Sequence, residues 1–357
     1  MNQLSNLKLQ ALAIGSLPHN TVESAMEVVK KDFSEIPFYP QLSNINRNED
    51  MTIQFLEGLP SFLPSNESFE IDTESEKFFE DLESFFTDYE EIIADTDTEI
   101  LEKYAISKEF SSTFPEFEKI IKNTKPQYAK AQIIGPFTLA AMLTDQNGIN
   151  AIFDETLREI VVKLLTLKVL WQIKHIKQAN STTIPIIFMD EPTLSQLGTS
   201  AYLTISEKDV VDMLAEISEI IHQNGGISAI HCCGKCDWTI LIKAKADIIN
   251  FDAFAFSEHL GLFAQEIDKF LQDGGKLAWG LVPTLDVEAL KNITLADLIK
   301  DFGQGIKYLT NKGIDEKLII DNSLITSSCG AGSLSVELAQ KAMDLVFELS
   351  NELRKRF

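Results

Sequence analysis

The chain has 357 residues, 45% hydrophobic and 24% charged, a composition that suits a globular protein with a sizeable core. Its net charge of -23, with arginine at only four positions (Arg47, Arg158, Arg354 and Arg356), argues against a nucleic-acid or anionic-membrane partner, because phosphate contacts need clustered Lys and Arg. Four cysteines in this length are no disulfide framework, no charged-then-apolar signal segment opens the chain, and the apolar stretch 160–171 is broken by Lys163 and Lys168; a cytoplasmic protein is expected.

Short apolar runs alternate with long amphipathic stretches. Residues 9–14 read as a strand ending at Gly15-Ser16, residues 21–33 as a helix, and residues 36–39 as a further strand. Residues 128–134 form a strand ending at Gly135-Pro136, followed by a helix over about 151–178. A strand over 184–189 ends at Asp190-Glu191-Pro192, and residues 209–223 are helical. Strand 227–233, a short helix at 238–244, strand 247–251 ending at Asp252, and a helix at 258–271 come next. The chain closes with strand 276–281, helix 296–310, strand 317–320 and helix 334–353.

Strand–helix alternation predicts parallel strands with crossover helices. Eight strands, and the absence of Gly-x-Gly-x-x-Gly after the first, predict an α/β fold of the (β/α)8 TIM-barrel type, one domain over 1–357. Ser16, Asp190, His231, Cys233, Asp252 and Cys329 all fall at or just after strand C-termini, the face where barrels carry their chemistry. Residues 63–125, rich in Phe, Asp and Glu, break the alternation and read as an acidic helical insertion whose Phe stripe packs against the barrel.

His231-Cys232-Cys233-Gly234 and the distant Cys329-Gly330 are the most informative pieces. Residues i and i+2 of a strand share a face, so His231 and Cys233 sit side by side while Cys232 points into the packing layer. Imidazole and thiolate are preferred zinc ligands, and three protein ligands leave a catalytic position open. Buried packing cysteines, a structural knuckle or a redox pair using Cys233-x-x-Cys236 remain open on these residues alone. His19 could face the same barrel mouth but reads rather as a surface or hydrogen-bonded loop histidine, and Cys236, near a helix start where its thiol could be activated, reads as a non-ligand.

The chain resembles the superfamily joining cobalamin-independent methionine synthase, uroporphyrinogen decarboxylase and the corrinoid-dependent methyltransferases. The matching pieces, in family order, are Ile14-Gly15-Ser16, Asn46-Arg47-Asn48-Glu49-Asp50-Met51, Gly135-Pro136-Phe137-Thr138, Asp190-Glu191-Pro192, His231-Cys232-Cys233-Gly234, the run from Asp247 to Asp252, and Cys329-Gly330. The resemblance implies zinc held by His231, Cys233 and Cys329, with Asp252 standing where the family has a glutamate ligand. It implies that Ile14, Gly15 and Ser16 hold the carboxylate of homocysteine and Asp190 its amino group. Asn46 stands in place of a further family glutamate, for which Glu49 substitutes in a shifted register. The Asp190-Glu191 pair supplies negative charge suited to an ammonium.

The expected activity is methyl transfer from a methylated corrinoid, on a separate corrinoid protein, to a small-molecule thiol, homocysteine giving methionine. Coenzyme M as acceptor and methyl-tetrahydrofolate as donor are alternatives. Folate-using relatives carry a second barrel that this chain lacks, and a folate polyglutamate is repelled by the net charge. A non-catalytic zinc- or corrinoid-binding accessory protein is another reading. Decarboxylation of a porphyrinogen would need cleft arginines that are absent from the first forty residues.

Overall fold

The computed structural model describes residues 3–64 and 69–357. The protein is α/β. Six parallel strands, β1 (Tyr128–Ile134), β2 (Ile184–Asp190), β3 (Ile227–Cys232), β4 (Ile248–Phe251), β5 (Lys276–Val282) and β6 (Ser323–Ser327), lie side by side in sequence order. The register pairs Ile134 with Asp190, Asp190 with His231, and His231 with Asn250, so these side chains point to one face at one level.

Both faces of the sheet are buried, as parallel strands require. On one, Tyr128, Ile186, Phe188, Ile227, Ala229, Ile248, Ala278 and Leu324 pack with Leu4, Leu7, Leu12 and Ile36 from the N-terminal segments. On the other, the alternate residues, among them Ile187, Met189, Ile230, Cys232 and Trp279, join the large core beneath the helices. The crossover helices begin at polar caps the sequence supplies. Asp154 accepts from Leu157 N–H (2.9 Å) at the start of the 25-residue helix Glu155–Ala179, and Ser206/Asp209 and Thr294/Asp297 form reciprocal capping boxes. No helix among the described residues is long and apolar enough to cross a membrane.

Three expected strands differ. Segments 9–14 and 36–39 are not continuous strands but make isolated parallel bridges: Ala11 with Ile325 of β6, Ser16 with Gln41, and Phe38 with Lys130 of β1. The strand expected at 317–320 is instead the helix Glu316–Asp321, capped by Asp315, and the strand follows at Ser323–Ser327. Lys-Leu-Ile-Ile suits either structure. The true strand is masked by Ser323, Thr326 and Ser327, whose hydroxyls are satisfied internally, Ser323 Oγ by Trp279 Nε1–H (2.9 Å) and the Ile319 carbonyl (2.7 Å). The helix expected at 258–271 is broken into Ala253–Leu260, a 3₁₀ turn and Ala264–Gln272.

The segment 63–125 is acidic and helical where described, with helices Glu76–Ala94 and Phe114–Thr124, but it also carries strand Phe69–Ile71, paired in parallel with Thr144–Asp145. Residues 65–68 lie outside the described part. Of its Phe stripe, Phe78 and Phe85 are buried in the main core, whereas Phe79 is exposed. The segment docks on the helix Glu155–Ala179: Lys168, wholly buried there, donates to the Ala105 carbonyl (2.8 Å), and Trp171 Nε1–H to Glu102 (2.9 Å).

Candidate metal centre

Beyond the C-terminal ends of the strands lies a cavity of about 460 Å³. Its lining draws on segments distant in sequence. Ile14, Ser16 and Gln41 come from the N-terminal segments, Glu49, Asp50 and Met51 from the loop after them, and Asp190 and Pro192 from the end of β2. His231 and Cys233 lie at the end of β3, and Cys329 and Gly330 after β6. No Lys or Arg lines it among the described residues, so it does not suit a polyanion.

His231, Cys233 and Cys329 each offer a ligand atom there, all within 4.8 Å of one another. His231 is buried, and apart from the Cys233 sulfur beside it the ring nitrogens have no hydrogen-bond partner, a costly state for an imidazole without a ligand. A hydrogen bond from the Cys329 thiol, with His231 beside it, pulls the Cys233 thiol down to about 4 against the effect of burial. The Cys329 thiol is pushed up in turn, because it donates that bond. The donor set, one imidazole and two sulfurs sharing a proton, suits a borderline-soft cation such as zinc.

Close approach explains the glycines of the motifs. A Cβ on Gly234 would lie 2.5 Å from Ser195 Cβ, and one on Gly330 2.2 Å from Ser16 Oγ. Ser16 Oγ accepts from Gly332 N–H (3.2 Å) and its carbonyl from Ala331 N–H (3.0 Å), which couples the Ile14-Gly15-Ser16 turn to the Cys329 loop. Gly15 does not itself line the cavity; its carbonyl accepts from Gln41 N–H (3.1 Å) and so sets the turn.

Asp190 is buried at the cavity wall and its Oδ1 has no partner. Burial raises its pKa, opposed by His231 and by Lys130. Lys130 is wholly buried beneath, donating to the Ile14 carbonyl and to Gln132 Oε1 (2.8 Å), and burial pulls its ammonium down to about 8.

Other expected residues are placed differently. Glu191 turns away from the cavity: its oxygens accept from Phe137 N–H (2.9 Å), Thr138 N–H (2.9 Å) and Thr138 Oγ1–H (2.6 Å) at the start of helix Pro136–Met142. It therefore adds no negative wall for an ammonium. Glu49 lines the cavity, but its two oxygens already accept from Leu42 N–H and Ser112 N–H, each at 3.0 Å. Asp252 falls outside the three-residue group and caps the helix Ala253–Leu260 through Ala255 N–H (2.9 Å). Burial lifts its carboxyl to about 6, and the Cys233 charge acts in the same direction. His19 is buried with Nδ1 unpartnered, rather than on the surface. Cys232 packs in the core as expected, and Cys236 lies outside the three-residue group, with burial pushing its thiol well up.

Sequence reasoning missed Thr284. Its hydroxyl donates to the Cys329 carbonyl (2.9 Å) and accepts from Cys329 N–H (3.0 Å), fixing the third residue of the group from just past the end of β5. Its place just past Val282-Pro283, at a strand C-terminus, was the available signal.

In comparison with known proteins, the chain matches no family model and no curated protein.

Proposed function

We propose that the protein is a zinc-dependent methyltransferase that moves a methyl group from a methylated corrinoid to a thiol, homocysteine giving methionine. The observation that carries the reading is the convergence of His231, Cys233 and Cys329 within 4.8 Å on a cavity that also holds Asp190 with an unpartnered oxygen. Two cysteine sulfurs and a histidine beside a buried carboxylate with a free oxygen serve a thiol substrate that also carries an amine.

The fold behind this reading is an eight-membered (β/α) barrel. Its support is that the two N-terminal segments bridge each other and bridge the two edge strands β1 and β6, filling the space between the sheet's edges.

His231, Cys233 and Cys329 would hold the zinc. Zinc, when bound, supplies the Lewis acidity that keeps a thiol deprotonated near neutral pH. Asp190 Oδ1 accepts from the substrate ammonium, in a buried position where the exchange for water is favourable only with a charged partner. Ser16 Oγ already accepts from Gly332 N–H, which leaves its hydroxyl hydrogen for the substrate carboxylate. Fixing both ends of the amino acid directs its sulfur at the donor methyl carbon and removes much of the entropy cost of a two-substrate step. The sulfur–carbon bond would form as the donor's cobalt–carbon bond breaks, the electron pair leaving with the corrinoid, and the thiol proton passes to solvent, so no protein base is required.

The test is a zinc analysis and a single-turnover reaction with methylcobalamin and a panel of thiols, read by mass spectrometry, on the wild type and Cys329→Ala. One zinc per chain and methionine from the wild type, with both lost in Cys329→Ala, is the expected result. Zinc binding without methylation of any thiol would make this a non-catalytic zinc protein, and turnover with methyl-tetrahydrofolate alone would overturn the donor.

A further inference from the structure

We infer that Asn250 is a positioning residue for the metal centre: with the ion held, its side-chain oxygen is the acceptor for the ring N–H of His231 and so fixes which imidazole nitrogen faces the ion. The inference rests on the metal centre proposed above. Asn250 of β4 is the direct cross-strand partner of His231 of β3, so the two side chains share a face and a level. Asn250 is wholly buried. Its amide nitrogen donates to the Ala278 carbonyl (2.9 Å) and contacts Thr326 Oγ1 (2.9 Å). A carbonyl can only accept, so the nitrogen end of the amide is fixed towards β5 and β6 and the oxygen end is fixed the other way.

That oxygen has no partner, and the His231 ring has none apart from the Cys233 sulfur beside it. The two are not bonded to each other in the structure, but they occupy directly paired positions on one face, so a turn of the imidazole on taking up the ion can join them. A histidine that ligates a metal through one nitrogen carries its proton on the other and almost always donates it to a nearby acceptor, which fixes the ring. Asp190 flanks His231 on the opposite strand, but it lines the open cavity, where a ligand competes for it, whereas Asn250 does not reach the cavity wall. The sequence offers no signal for this role. Asn250 sits two residues before the acid that the family resemblance singled out, in the middle of an apolar run.

The test measures zinc affinity by competition with a chromophoric chelator, alongside thermal stability, in wild type, Asn250→Leu and Asn250→Asp. Asn250→Leu removes the acceptor and is expected to weaken zinc binding by about ten- to hundredfold, the usual effect of losing such a partner. Asn250→Asp keeps an oxygen towards His231 but loses the donors to Ala278 and Thr326, so its affinity should stay close to wild type although its stability falls. Wild-type affinity in Asn250→Leu assigns the histidine proton elsewhere, to Asp190 first, and overturns the inference, as does an Asn250→Asp affinity that falls with Asn250→Leu. A wild type that binds no zinc removes the metal centre itself, and the inference with it. Should Asn250→Leu fail to fold, Thr326→Val loosens one anchor of the amide and should weaken zinc binding several-fold; unchanged affinity overturns the inference.

Discussion

Gly135→Ala is a sharp test of the packing behind the cavity wall. Gly135 has an ordinary extended backbone (φ -70°, ψ 149°), so alanine is conformationally allowed there and any cost comes from contact. The added Cβ would lie 2.1 Å from Glu191 Cδ and 2.2 Å from Cγ and Oε1. Glu191 cannot move aside freely, because three hydrogen bonds from Phe137 and Thr138 hold a fully buried carboxyl group. Sacrificing two of them at about 1.5 kcal/mol each gives a loss of about 3 kcal/mol, at the top of the range for overpacking. Glu191→Ala should cost about the same, since it strands the amides at the start of helix Pro136–Met142. In that background the obstacle is gone, and adding Gly135→Ala should cost less than about 1 kcal/mol, a coupling of about 2 kcal/mol between the two positions. Urea denaturation of the four proteins, compared at a common slope, reads these values directly. A Gly135→Ala protein within about 0.5 kcal/mol of wild type, or an equal cost in both backgrounds, would refute the contact.

Two further outcomes follow from the charged groups. Asp190→Asn should raise the homocysteine requirement of the single-turnover reaction by about 10–100-fold, the worth of a hydrogen bond to a charged group, while leaving a thiol without an amine unchanged; equal effects on both thiols would remove the amino-group assignment. Burial pulls the Lys168 ammonium down to about 7, below its ordinary 10.5. Between these values the unfolded chain holds a proton that the folded chain has released, so Lys168 makes stability rise with pH through that window. Relative to Lys168→Met, the wild type should therefore gain in urea midpoint from pH 7 to pH 9. A difference between the two that does not change with pH would show that the lysine titrates normally.

The order of elements from residue 128 onward was legible in the sequence, because buried parallel strands are short apolar runs and crossover helices are long amphipathic ones. Strands Tyr128–Ile134 and Lys276–Val282 fall almost where the pattern puts them. The clustering of His231, Cys233 and Cys329 was legible too: an i, i+2 pair at a strand end is a local statement, and the third residue sits at another strand end. Less legible were segments whose pairing is set by distant chain. Residues 9–14 and 36–39 have strand-like composition but make only single bridges to neighbours far along the sequence.

Residue types and spacing by themselves determined the α/β alternation, the face on which the chemistry-bearing side chains gather, and the pairing of His231 with Cys233, since each depends on the backbone period of one element. Only the tertiary structure decided which acids face the cavity. Asp190 and Glu191 are adjacent and chemically alike, yet one borders the cavity with a free oxygen and the other is consumed by the amides of a helix start fifty residues earlier. Glu49, Thr284 and Asn250 were likewise assigned by partners on other elements. A polar side chain's role is set by which donors and acceptors reach it, and those are brought together by packing between elements rather than by the order of residues within one.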